Sequence, residues 1–298
     1  MTMRSTALAV MLAALPPAAA ASDRPPVKNS PAIQQYYQDA LDSYAHEDYR
    51  EAIIKWTAIL KEDPDQKSAQ TMIIDARQRL VRLTEKQRKL TAGYIAAGQY
   101  RKAFLEHQVL LDQDPDDPEL VATQSKMASV IKLAPEIAPD SRAARAAILG
   151  LKGYLSSPPD LKLAHNALRY AREIAPGEDI YRNFLKLLYA DYPALEAADP
   201  VTPGMKLLEY KHYVALHQIY DAKHHLAVIT LNEILALAPD DLMALKRLGS
   251  ANYSLGRFEE ARSAWSAAQK LAPHDKTLEH FLAKIRKYKS APTKPRQP

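Results

Sequence analysis

The chain has 298 residues, 47% hydrophobic and 25% charged, which is ample material for a packed core. With 8 Gly and 7% aromatic residues it is too glycine-poor for a turn-rich β fold or a phosphate-cradling loop, and the absence of Cys excludes disulfides, thiolate metal sites and a cysteine nucleophile. The formal charge of +5 collects partly in a C-terminal run from Lys284 to Arg296 that carries no aromatic stacking platform, so nucleic-acid binding is not expected.

The first 21 residues read as a secretory signal: Arg4, an apolar stretch from Ala7 to Leu15, and the small residues Ala19, Ala20 and Ala21 as a cleavage site. That stretch is too short, and too quickly broken by Pro16 and Pro17, to span a bilayer. No other segment is longer in uninterrupted apolar residues than a buried helix needs, so no stable membrane insertion is expected. The expectation is cleavage near Ala21 and an exported, periplasmic or secreted, mature protein. Residues 22–31, rich in Pro and polar side chains, read as a flexible leader.

Residues 32–117 are predicted to form helical hairpins. Tyr36, Ala40, Leu41 and Tyr44 make one apolar helical face, and Ala52, Ile53, Trp56, Ile59 and Leu60 make a second beyond the polar break at His46, Glu47 and Asp48. Neither stripe can be buried alone, so the two helices must pack on each other. Pro64 and Pro115 lie 51 residues apart, which leaves room for either one additional helix or one lengthened helix; residues 66–92 contain no Gly or Pro and fit a single long helix with Ile73, Ala76, Leu80, Leu83 and Leu90 on its buried face.

Residues 118–200 keep the helical period but lose any fixed spacing, with helices predicted over 119–133, 141–156, 161–174 and 179–189. The Pro- and Gly-containing break at 198–204 is either a hinge or a loop in one continuous superhelix, the second being preferred. In residues 205–289 the two near-identical phrases ending at Pro239 and Pro273 lie 34 residues apart. Leu278, Phe281, Leu282 and Ile285 then share one face of a final helix, predicted to cap the last repeat. Residues 290–298 read as a disordered tail.

A 34-residue period with small, aromatic and Pro residues at fixed offsets resembles the tetratricopeptide repeat family. Tyr36, Ala40, Tyr49, Ala52, Trp56 and Pro64 fall on its motif, as do Tyr94, Gly98, Tyr100, Ala103 and Pro115, with His107 replacing an aromatic residue. Ala215, Ala227 and Pro239 fit a weaker block in which Ala222 and His224 stand where Gly and an aromatic residue are usual. Gly249, Gly256, Phe258, Ala261, Trp265, Ala268 and Pro273 fit the last block best, and Ala164, Leu168, Ala171 and Pro176 match the second helix of a degenerate repeat. The resemblance implies an all-α, right-handed helix–turn–helix solenoid with an irregular helical middle and a C-terminal capping helix. It further implies a concave groove for a peptide or a partner helix, whose candidate residues here are Tyr37, Tyr44, Arg88, His212, Lys246 and Tyr253. The chaperone-tail clamp of some relatives needs an Asn where this chain has Leu41, Ala92, Leu216 and Ser250, so that ligand is not expected.

No catalytic, cofactor or metal site is expected. His212 and His217, in the densest histidine group, are about 140° apart around one helix, which suits no shared metal ion. No HExxH, GxSxG or Gly-rich phosphate motif occurs. The acidic pairs Asp63 and Asp65, Asp116 and Asp117, and Asp240 and Asp241 flank prolines and are expected to cap the helices that follow. The leading expectation is a non-enzymatic scaffold for protein partners of the cell envelope. Its alternatives are a self-assembling structural component, and an enzyme or envelope-polysaccharide binder built in residues 118–200.

Overall fold

The structure, a computed structural model, describes residues 31–197, 201–202 and 204–289. The predicted signal, the leader up to residue 30, the tail and residues 198–200 and 203 of the break lie outside the described residues. The described residues form fourteen helices and no strand. In chain order they are α1 Pro31–Ala45, α2 Tyr49–Glu62, α3 Lys67–Ala96, α4 Tyr100–Gln113, α5 Pro118–Leu133, α6 Arg142–Leu155 and α7 Leu161–Ile174. They continue with α8 Asp179–Asp191, α9 Ala194–Ala197, α10 Leu207–Tyr220, α11 His224–Leu237, α12 Leu242–Ser254, α13 Phe258–Leu271 and α14 Lys276–Lys289.

Local chemistry sets most of the ends. α2, α4, α5, α7, α8, α11 and α13 each stop at a residue that precedes a proline, and those seven residues have φ between −153 and −132. A proline ring clashes with a helical conformation in the residue before it, so each X-Pro step is a stop signal. Helix starts are marked by carboxylates and a hydroxyl: Asp48, Asp117, Asp160, Asp241 and Asp275 accept from backbone N–H groups of α2, α5, α7, α12 and α14, and Ser141 does so for α6. Of the predicted capping pairs, the second member caps in two. The first pair is corrected: among the described residues the side chain of neither Asp63 nor Asp65 bonds the start of α3, and Asp63 instead ends α2.

The hairpin turns repeat in detail. α1, α3, α10 and α12 each run into a residue with positive φ: Glu47 at 63°, Gly98 at 74°, Ala222 at 57° and Gly256 at 74°. The next N–H in each case bonds back five residues, Asp48 to Ser43, Gln99 to Tyr94, Lys223 to Gln218 and Arg257 to Asn252, at 2.7–2.9 Å. This double closure satisfies the last helical carbonyls and reverses the chain in three residues. Four hairpins are therefore built alike, which is why the same spacing of small and aromatic residues can pack each one.

Packing within the chain divides it into two compact units, with the boundary between Arg82 and Leu83, inside α3. In the first unit α2 buries Tyr49, Ala52, Trp56 and Ile59, a 3–4–3 spacing that puts all four on one face, and α1 meets it at the fully buried Ala40. Trp56 is completely buried, and losing such a side chain costs about 3–5 kcal/mol.

In the second unit the largest core joins α3 through α8 to the start of α10, with Tyr100, Met127, Leu151, Leu168, Phe184 and Leu188 at its centre. α6 and α7 form a hairpin of their own kind: a Cβ on Gly150 would lie 2.7 Å from the Leu168 side chain, and one on Gly153 2.9 Å from the Asp160 carbonyl oxygen. The two glycines let the helices meet backbone to backbone. α10 then packs on α7, and its first N–H, at Leu207, donates to Glu173 at 2.8 Å. Lys211, buried on α10, and Lys162, on α7, both pair with Glu233 of α11. The helices on either side of the 198–204 break thus share one core. Two further cores follow, one within α10, α11 and α12 and one within α12, α13 and α14. The last is closed by Leu278, Leu282 and Ile285, with Phe281 stacked on Trp265 at 4.7 Å.

Candidate partner-binding groove

Five of the six groove candidates are engaged by the chain itself. Tyr37, half-buried, meets Trp56 edge-on at 6.5 Å. The Tyr44 hydroxyl donates to Asp75, and the Arg79 guanidinium lies over its ring at 5.2 Å. Burial and then the Asp75 carboxylate raise the Tyr44 pKa, while the hydrogen bonds from Tyr44 and Arg79 hold Asp75 below the usual carboxylate value. Tyr253 packs on Phe258 and Trp265, and Lys284 sits over its ring at 5.2 Å.

His212 and Lys246 occupy equivalent motif positions and do equivalent work. His212 Nε2 bonds Asp241 at 2.9 Å, and Lys246 Nζ bonds Asp275 at 2.7 Å, both across 29 residues. Each acceptor is also the cap of the following helix. One aspartate therefore satisfies helix N–H groups with one oxygen and ties the neighbouring repeat with the other. The bond from Lys246, the largest influence, with those from the Leu278 and Thr277 N–H groups, holds the Asp275 carboxyl below the usual carboxylate value against the opposing effect of desolvation. Arg247 donates to the His212 carbonyl oxygen at 3.1 Å and lies 3.4 Å from its Nδ1, which leaves Nε2 as the nitrogen carrying the proton toward Asp241. His217 turns elsewhere, its Nδ1 against the Tyr213 carbonyl oxygen at 2.9 Å.

Arg88 is the sixth candidate and differs from the others. It is exposed and, among the described residues, makes no hydrogen bond or ion pair. It stands at the rim of a hollow of about 280 Å³ between α3, α4, α5 and the C-terminal end of α6. The floor is apolar, formed by Ala92, Ile95, Leu110, Leu120, Met127 and Leu155. The rim adds Lys152 and Glu119, and the Glu119 carboxylate accepts from Ser157 at 2.8 Å. Two buried polar groups line it. His107 Nε2 donates to the Leu120 carbonyl oxygen at 3.0 Å, and burial, reinforced by the Arg88 charge, lowers its pKa despite that bond. Thr91 is 6% exposed and its hydroxyl has no partner.

The sequence placed Arg88 on the groove but gave no sign of Lys152, Glu119, Thr91 or Ser157, which come from segments up to 69 residues away and meet through packing alone. The paired roles of Asp241 and Asp275 were legible in principle, since basic residues recur 29 positions before each of them. Among the described residues no three His, Asp or Glu side chains converge to hold a metal ion, and no helix is long and apolar enough to cross a membrane.

No protein-family model matches the chain, and no curated protein matches it. Among solved structures, a thermophilic TPR protein of Thermus thermophilus is similar at 17% identity over 85% of this chain and 98% of that one, with a TM-score of 0.20. So loose a superposition adds nothing to the hairpins themselves. They carry the assignment of class: this is an all-α helical-repeat protein of tetratricopeptide-like build, with four alike hairpins, an intervening glycine-packed hairpin and a terminal capping helix.

Proposed function

We propose that the chain is a non-enzymatic scaffold for protein partners in the cell envelope, exported after cleavage near Ala21, that holds a peptide or helix of a partner against the first helices of its hairpins. The observation that carries this reading is the recurrence of the same turn and the same packing in four hairpins. Within the second unit α10, α11 and α12 share one core and α12, α13 and α14 another, and a surface extended over consecutive helices suits elongated ligands. The envelope assignment rests on the signal-like first 21 residues alone.

The test has two parts. Fractionation and mass spectrometry of the protein from its own cells should find an N-terminus at Ser22 in the periplasmic or secreted fraction, and an intact Met1 in the cytosol overturns the envelope reading. The purified mature protein should then recover a defined partner from envelope extract and bind it again after purification. Tyr37→Ala, Lys246→Ala and Tyr253→Ala should each weaken that binding in protein whose circular dichroism is unchanged. Binding insensitive to all three overturns the groove assignment.

A further inference from the structure

The position that ties one repeat to the next holds a basic residue three times in the second unit, and one of the three is left over. Arg88 stands 29 residues before Asp117, as His212 stands before Asp241 and Lys246 before Asp275. Asp117 keeps its capping bonds, to the N–H groups of Glu119 and Leu120 at 2.8 and 3.2 Å. Arg88 does not pair with it. In place of that tie, the guanidinium faces the hollow walled by α3, α4, α5 and the end of α6. Lys152, exposed on the same rim, makes no hydrogen bond or ion pair among the described residues either.

Three properties narrow what the hollow can hold. Its volume of about 280 Å³ falls just short of the roughly 300–1,000 Å³ of ordinary small-molecule sites, yet exceeds the ~150 Å³ that accepts a benzene ring. One aromatic side chain fits this size better than a cofactor does. Two rim cations against one carboxylate, itself engaged by Ser157, favour an anionic neighbour for that side chain. Finally, the Thr91 hydroxyl, more than nine-tenths buried and unpartnered, needs a polar atom at the apolar end of the ligand.

We propose that this hollow binds a tyrosine from an extended acidic segment of a partner protein. The ring rests on Ala92, Leu120 and Leu155 above the buried Met127, the phenol meets the Thr91 hydroxyl, and flanking carboxylates engage Arg88 and Lys152. This rests on the protein-scaffold reading above and gives it a ligand chemistry. It also gives the irregular middle a role, because the end of α6 converts an open groove into a walled pocket.

The experiment is a fluorescence-anisotropy titration of the full mature chain with four labelled, end-blocked heptapeptides. Their central triplets are Glu-Tyr-Glu, Gln-Tyr-Gln, Glu-Phe-Glu and Glu-Ala-Glu. The first should bind, the second and third about tenfold more weakly, and the fourth not measurably. Arg88→Gln and Lys152→Gln, both at exposed positions that leave the core intact, should each weaken the first peptide severalfold and leave the second unchanged. The Met127 ε-methyl NMR signal should move on titration with the first peptide. Absence of binding, equal binding of the Glu and Gln peptides, or an unmoved Met127 signal overturns the proposal. A Phe peptide that binds as well as the Tyr peptide overturns the assignment of tyrosine and with it the role of Thr91. If the peptides fail while an envelope partner is still lost with Tyr253→Ala, this inference falls and the scaffold reading stands. If partner binding ignores every groove variant as well, both fall.

Discussion

Ala222 adopts φ 57°, a left-handed conformation that costs a residue with a Cβ about 1–2 kcal/mol and costs glycine almost nothing. The same turn position holds Gly98 and Gly256 in two other hairpins, so the four turns form an internal substitution series. Ala222→Gly is expected to stabilise the protein by about 1 kcal/mol, and Gly256→Ala, where a Cβ meets nothing within 4 Å, to destabilise it by a similar amount. Gly98→Ala should be worse than either, because its Cβ would fall 2.2 Å from the Ile137 carbonyl oxygen. Urea midpoints of the three variants check the order. Gly249 is small for a different reason: a Cβ there would lie 2.2 Å from the indole nitrogen of Trp265, which donates to the Lys246 carbonyl oxygen at 3.1 Å. Gly249→Ala is therefore expected to cost about 1–3 kcal/mol and to change the near-ultraviolet circular dichroism of Trp265.

At the scale of elements, the helices were legible wherever a stop signal and a period coincided. The range 161–174 expected for α7 is the range observed, because Asp160 caps its start and Pro176 blocks its continuation. The single helix expected over 66–92 is present as α3, and it runs four residues further, to the turn at Gly98. The α6–α7 pairing was illegible in kind, since its closeness depends on Gly150 and Gly153 facing particular atoms of α7. Two histidines, His107 on α4 and His165 on α7, make stability depend on pH. Burial, followed by nearby positive charge, lowers the pKa of His165, as burial chiefly does for His107. In the unfolded chain both titrate at ~6.5. The unfolded state thus binds more protons between that value and the folded values, so stability is complete above about pH 6.5 and declines as pH falls through the window. Urea midpoints measured from pH 7.5 to 5 should show this decline, and the His107→Gln, His165→Gln double variant should flatten it.

Across the whole molecule, the sequence disclosed the repeats and left the exception between them undescribed. A 34-residue spacing survives any side-chain detail, whereas the hollow beside Arg88 exists only because α6 ends against α3 and α5, a contact with no local signature. Helix α14 was legible because Leu278, Phe281, Leu282 and Ile285 recur at helical spacing and so share one apolar face, which packs on Trp265 and its neighbours. Leu278, Leu282 and Ile285 are buried there, at roughly 1.5–3 kcal/mol each, which is comparable with the ~5–15 kcal/mol that holds a typical domain folded. Removal of residues 276–298 should therefore lower the melting temperature, abolish the near-ultraviolet signal of Trp265 and produce binding of a hydrophobic dye. An unchanged melt would show that α14 is dispensable.

Asp241 and Asp275 have one more consequence. Each closes the helix after it and receives a basic side chain from the first helix of the hairpin before it, with 34 residues separating the two. Excision of residues 242–275 would bring Asp241 directly before Lys276, where it stands in the same register to Thr277 and Leu278 as Asp275 does now, with His212 still bound to it. The chain is thus punctuated by interchangeable joints, and what lies between two of them is a cassette. Loss or duplication of such a cassette alters the length of the protein while keeping the aspartate cap of the helix that follows and its tie to the repeat before.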